Sequence, residues 1–108
     1  MQNISKQHSI LTMCAAHDAH YRAHSGDTLV FETMDCFSNT LEKETDKFST
    51  VPWDRINPAT GPVYFEEACP GDTLKVEIQK IDLAAFGVTA VCPGFGAFSN
   101  KIQKDNIR

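Results

Sequence analysis

One short pattern occurs twice in this chain, and it constrains the fold more than any other feature of the sequence. Ser25-Gly26-Asp27-Thr28-Leu29-Val30-Phe31-Glu32-Thr33 and Pro70-Gly71-Asp72-Thr73-Leu74-Lys75-Val76-Glu77-Ile78 each read as a tight turn followed by a strand. Glycine supplies backbone angles that other residues reach only with strain, and aspartate bonds neighbouring backbone amides. An extended segment then leaves the turn. The second copy alternates, with Leu74, Val76 and Ile78 on one side and Thr73, Lys75, Glu77 and Gln79 on the other. A period of two belongs to an antiparallel strand with one solvated face. The first copy is more apolar, carrying Leu29 and Phe31 on one face and Val30 on the other, and is expected to be covered on both sides. Repetition of this device predicts strands repeated within a β-sandwich.

Further strands are predicted over residues 9–13, 62–65 and 87–92. Turn signals separate them at Asn57-Pro58, Thr60-Gly61-Pro62, Pro70-Gly71 and Pro93-Gly94. Punctuation this frequent fits an all-β chain, and 108 residues fit a single domain spanning 1–108 with short or irregular helical connections. Residues 41–48 are charged and read as a short helix or a mobile loop. The tail over 100–108 offers only Ile102 and Ile107 to a core and reads as lacking a closing element.

Charge and composition narrow the function. With a net charge of −4 and one basic cluster, Lys101, Lys104 and Arg108, the chain is not expected to bind nucleic acid. No apolar run approaches the roughly 20 residues of a membrane-spanning helix. The start, Met1-Gln2-Asn3-Ile4-Ser5-Lys6, carries no signal-peptide pattern, so a cytoplasmic location is expected. The four cysteines, Cys14, Cys36, Cys69 and Cys92, form no C-x-x-C pair and are expected to be free and mostly buried.

Several constellations could carry chemistry. Cys14, His17, His20 and His24 are zinc-ligand types, yet the segment runs straight into a strand, which would scatter them over both faces. An exposed connection is the expectation. Glu32 and Asp35 point to different faces of a strand, and Asp35, at its end, is the better placed to bind a metal or orient a water. The plainer role for Asp35 is a turn cap. Cys36 beside it has no partner base at recognisable spacing. The stretch Trp53-Asp54-Arg55-Ile56-Asn57-Pro58-Ala59-Thr60-Gly61-Pro62 is a stiff polar loop, suited either to positioning a substrate or to turning a corner. Pro93-Gly94-Phe95-Gly96 lacks the third glycine of a dinucleotide fingerprint and the lysine of a P-loop.

Four of these segments, in order, resemble the acetamidase/formamidase family: Glu32-Thr33-Met34-Asp35-Cys36-Phe37-Ser38, Ile56-Asn57-Pro58-Ala59-Thr60-Gly61-Pro62, Pro70-Gly71-Asp72-Thr73-Leu74-Lys75-Val76-Glu77-Ile78 and Pro93-Gly94-Phe95-Gly96. The resemblance covers about residues 9–103. It departs at Asn39-Thr40, where many members carry Gly-Gln, and at Glu67, where a glycine is expected. Members are considerably longer and hydrolyse short amides such as formamide and acetamide to ammonia and the carboxylate. The resemblance therefore implies a β-sandwich of jelly-roll type at the amino-terminal part of an amide hydrolase. It implies Asp35 and Glu32 as site carboxylates, Asn57 and Thr60 as substrate-positioning groups, and a divalent metal, zinc or calcium, near Asp35. A later Gly-Asp-x-His-Ala segment of the family has no counterpart here. That gap opens two rival readings: a non-catalytic binding or oligomerisation module, or one half of a split enzyme, with self-association or pairing with the remainder in either case.

Overall fold

Short strands between closely spaced turn residues are what the sequence dictates, and the computed structural model, which describes all 108 residues, contains eight of them and no α-helix. They are β1 (Gln2–Ile4), β2 (Ser9–Ile10), β3 (Tyr21–Ala23), β4 (Leu29–Phe31), β5 (Ala59–Thr60), β6 (Val63–Phe65), β7 (Ala90–Val91) and β8 (Asn106–Ile107). Two single-turn 3-10 helices, Phe48–Thr50 and Trp53–Arg55, complete the regular structure. No helix is long and apolar enough to cross a membrane. The chain divides into two compact units, Met1–Thr33 with Ala59–Ala84 and Met34–Pro58 with Ala85–Arg108.

In the first unit β1 pairs in parallel with β4, β3 pairs in parallel with β6, and β2 pairs antiparallel with β5. Parallel pairing was not foreseen, because alternation along one strand specifies its faces and not the direction of its neighbour. Only Ile4 and Ala23 are buried apolar side chains in this unit. Val30 and Phe31 are exposed, so β4 is not covered on both faces as its composition suggested.

The repeated turn takes the same form at both sites. Asp27 Oδ2 accepts the His24 N–H at 2.8 Å, and Asp72 Oδ2 accepts the Cys69 N–H at 2.8 Å. The glycines Gly26 and Gly71 lie at φ of 89° and 99°, where a Cβ would be strained. The chain leaving each turn behaves differently. Residues 29–31 join β1, whereas residues 73–83 leave the second turn without any backbone partner. The strand expected there is absent as a paired element, and its apolar face is open, with Val76 and Ile78 each 74% exposed.

The second unit has the core. Leu41, Phe48, Val51, Cys92 and Ile107 pack together, with Phe37 and Ile56 against them. The Phe48 ring meets Phe37 edge-on at 5.6 Å and Trp53 at 5.1 Å, and Trp53 stacks on Phe95 at 4.8 Å. Residues 41–48 thus form no α-helix but a turn-containing loop, exposed over Glu42 to Thr45 and tied down at its ends. Asp46 Oδ2 accepts the N–H groups of Glu42 (2.8 Å) and Lys43 (2.9 Å), and Asp105 Oδ2 accepts that of Phe48 (2.9 Å). These bonds offer the backbone a turn in place of helical pairing. Both ends of the segment, Leu41 and Phe48, enter the core. The tail also contributes: β8 pairs antiparallel with β7, and Arg108 and Thr89 exchange backbone bonds at 2.8 and 2.7 Å. Ile107 enters the core from this paired tail, where the sequence offered only two isoleucines. Of the four free cysteines only Cys92 is buried; Cys14, Cys36 and Cys69 are exposed, contrary to expectation.

Candidate functional site

In the first unit, β2 and β5 place Ser9 opposite Thr60 and Ile10 opposite Ala59, and the Gly61 N–H donates to the His8 carbonyl at 2.9 Å. This short ladder flanks a cleft of about 410 Å³ lined by His8, His17, Asp18, His20 and the Gly61-Pro62 turn. The His8 and His20 rings stack at 4.3 Å, and His8 Nδ1 lies 2.8 Å from the Tyr21 hydroxyl, which accepts the Ser5 N–H at 3.0 Å. His17 Nε2 pairs with the Thr12 hydroxyl at 3.0 Å. Of the histidines predicted to lie on an exposed connection, two therefore share a cleft. The third, His24, pairs with Glu67 at 2.7 Å outside it. His8 and Tyr21 were invisible as site residues in the sequence, because only the folding of residues 5–10 beside β3 brings them together.

Two of the predicted site residues adjoin this ladder. The Thr60 hydroxyl donates to the Glu32 carbonyl at 2.7 Å, so it is fixed by the backbone at the end of β4. The Glu32 carboxylate accepts from Asn3 Nδ2 at 3.2 Å and from the Lys6 N–H at 3.4 Å. Those two bonds, the asparagine first, hold its pKa below the ordinary glutamate value, so Glu32 is an anion at neutral pH and a poor proton donor.

The other two lie in the second unit. Asp35 Oδ1 accepts the N–H groups of Phe37 at 2.9 Å and Asn39 at 2.8 Å, while Asn39 Oδ1 accepts the Asp35 N–H at 2.9 Å. This is turn-cap geometry. It fixes the carboxylate and leaves Oδ2 without a bond inside the chain. Ser38 and Asn39 follow at φ of 55° and 56°, left-handed values that the reciprocal cap holds in place. Asn39 stands where the family resemblance led us to expect glycine, and asparagine is the side chain best able to share that conformation. The Ser38 hydroxyl donates to the Arg55 carbonyl, and the Asn57 N–H donates to the Cys36 carbonyl at 2.8 Å. Asn57 is itself left-handed at φ 55°, with its side-chain amide exposed and unbonded. Nearby, Phe48, Trp53 and Phe95, with Ser49, Cys92, Pro93 and Asp105, border a smaller cleft of about 180 Å³. Burial raises the Cys92 thiol pKa, which makes it a packing residue and not a nucleophile.

No group of three or more His, Cys, Asp or Glu side chains converges to hold a metal ion. Asp35 Oδ2 is a single donor, and a closed zinc site needs four ligands and a calcium site more. The residues present therefore do not by themselves fit the divalent ion that the sequence resemblance implied.

Comparison with known proteins places these features in context. The acetamidase/formamidase family profile matches residues 16–105. The structure is similar to that of an acetamidase from Bacillus halodurans, with a TM-score of 0.93 and 35% identity over 98% of this chain. It is also similar to a recombinant protein from the thermophile Thermoanaerobacter tengcongensis described as a predicted acetamidase/formamidase, with a TM-score of 0.91 and 39% identity over 99% of this chain. In each case the chain spans 36% of the relative's length. No curated protein matches it.

Proposed function

The chain belongs to the acetamidase/formamidase family, and on that premise we propose that it is the amino-terminal part of an amide hydrolase that releases ammonia from short aliphatic amides such as formamide and acetamide. The observation that carries this reading is the match to acetamidase structures over nearly all of this chain and about a third of theirs. The same reading takes residues 1–108 as one domain of a jelly-roll β-sandwich and places the protein in the cytoplasm.

Amide hydrolysis requires three things: an activated water, donors for the developing oxyanion and a proton for the departing amine. Within this chain Asp35 is the group suited to the first. Its position is locked by two backbone bonds to one oxygen, and the other oxygen is free to orient a water. The exposed Asn57 amide in the second unit and the Thr60 hydroxyl in the first, fixed on the Glu32 carbonyl, are each suited to holding a polar group of a substrate. Glu32, anionic and fixed, adds negative charge. We also propose Asp35 as one donor to a zinc or calcium ion; as the other donors are not among these residues, no step is derived through it.

The test replaces the matched third of the Bacillus halodurans acetamidase by this chain and measures ammonia release from formamide and acetamide. Turnover by this graft that falls about a hundredfold or more on Asp35→Asn supports the reading, because asparagine keeps the turn-capping oxygen and loses only the charge. A graft as active with Asp35→Asn as without it removes Asp35 from the chemistry. A folded graft with no turnover at all, beside an active parent, favours a non-catalytic module instead.

A further inference from the structure

We propose that the cleft of the first unit binds the carbonyl oxygen of a small neutral amide, which takes its hydrogen bond from His8 Nε2. Every other polar group of His8 is already engaged. Its N–H donates to the Ser5 carbonyl at 3.1 Å, and its carbonyl accepts the Gly61 N–H at 2.9 Å. Its Nδ1 lies 2.8 Å from the Tyr21 hydroxyl, and the His20 ring stacks on its face with 17° between the planes. Nε2 alone has no bond within the chain. These contacts join residues 5, 8, 20, 21 and 61, so the orientation of the ring does not depend on segments that the longer relatives add.

The same hydrogen bonds decide which nitrogen carries the proton. The Tyr21 hydroxyl accepts the Ser5 N–H at 3.0 Å, and its own proton has no acceptor in the chain except His8 Nδ1. Donation there satisfies both groups, whereas the reverse arrangement leaves the tyrosine proton without a partner. In neutral His8 the ring proton then sits on Nε2, at the free edge of a ring that lines the cleft, and makes that atom a donor. A donor fixed in advance loses little freedom when a ligand binds. Asp18 lines the same cleft. Its carboxylate can accept the N–H groups of an amide and repels the anion of a carboxylic acid, so charge selects the neutral ligand. The choice of an amide rests on the amide-hydrolase reading; the pinned donor does not.

Nitrogen NMR of the imidazole rings in the 108-residue chain tests this at about pH 8, above the ordinary histidine range. The wild type should show His8 as the Nε2–H tautomer alone. Tyr21→Phe, which keeps the ring and removes the hydroxyl, should let both tautomers appear. Acetamide is then added up to about 1 M, because so small a ligand binds weakly. The His8 Nε2 signal should shift and saturate, with acetate binding more weakly than acetamide. Tyr21→Phe should weaken acetamide binding about threefold, the effect of one neutral hydrogen bond. His8→Phe should abolish the saturable shift at the Gly61 amide. A wild-type His8 protonated on Nδ1 overturns the proposal, as do tautomers that Tyr21→Phe leaves unchanged. So does a His8 signal that acetamide does not move, or acetate binding as tightly as acetamide. Should either variant fail to fold, the wild-type tautomer and the two titrations still decide. None of these outcomes needs turnover, so an inactive graft leaves them as they stand.

Discussion

The two units of this molecule differ in how much apolar surface they bury. The unit of Met34–Pro58 and Ala85–Arg108 has a core in which the Leu41 to Val51 stretch, Cys92 and Ile107 come together from separate parts of the chain. The unit of Met1–Thr33 and Ala59–Ala84 holds three two-stranded ladders but buries only Ile4 and Ala23 among its apolar side chains, and its most regular amphipathic segment lies open. Alternation therefore marks which face of a strand is apolar; it does not guarantee that the chain supplies something to cover that face. The core unit shows the converse, since its principal aromatic, Phe48, sits at the end of a charged run with no periodicity.

Phe48→Ala should break this contrast most. It removes a buried ring in contact with Phe37, Trp53 and Phe95 and should cost about 3–5 kcal/mol in urea or thermal unfolding. A loss below about 1 kcal/mol would show that the cluster is not a stabilising core. Asp35→Ala, which leaves the Phe37 and Asn39 N–H groups without their cap, should cost about 1 kcal/mol, while Asp35→Asn should cost much less. Equal losses for the two variants would contradict the capping role. At the other extreme, Leu83→Ala removes a side chain that is 87% exposed and should change stability by no more than about 0.5 kcal/mol. A large loss there would mean that the open segment is packed in solution.

The smallest effect sharpens the comparison through pH. The hydrogen bond and charge of Glu67 raise the His24 pKa above 6.5, and His24 in turn lowers that of Glu67 below 4.5. A raised histidine stabilises the fold fully below about pH 6.5, and that contribution is lost as pH climbs through its higher folded-state value. A lowered glutamate stabilises above about pH 4.5 and loses its contribution as pH falls through its depressed folded-state value. The pair therefore contributes most between those ordinary values. Proton NMR titration should show the His24 pKa falling towards 6.5 in Glu67→Gln. An unchanged titration would show that this exposed contact does not persist in solution.

Much of the local structure was legible in the sequence. The two Gly-Asp turns, β4, β6 and parts of β2 and β7 lie where turn residues and apolar runs put them, and the family could be read from four ordered segments. Residues 41–48 were opaque because Asp46 and Asp105 hold the backbone from positions that carry no periodic signal. Burial of three cysteines was wrongly expected because their type favours the interior while their positions, in or beside turns, do not. At the candidate site, Asp35 and Thr60 could be singled out by motif, but their bonding partners could not. The His24–Glu67 pair shows why. Glu67 looked like an inconsequential departure from a glycine, and its role depends on a contact spanning 43 residues of chain.

Hydrogen exchange on the dilute wild-type chain tests the contrast between the units most directly. The account predicts slowed exchange at the Phe48, Thr89 and Arg108 amides, which are bonded at 2.9, 2.7 and 2.8 Å, and unprotected exchange throughout residues 73–83. Protection of residues 73–83 in the monomer, or its absence at Phe48, Thr89 and Arg108, would contradict it.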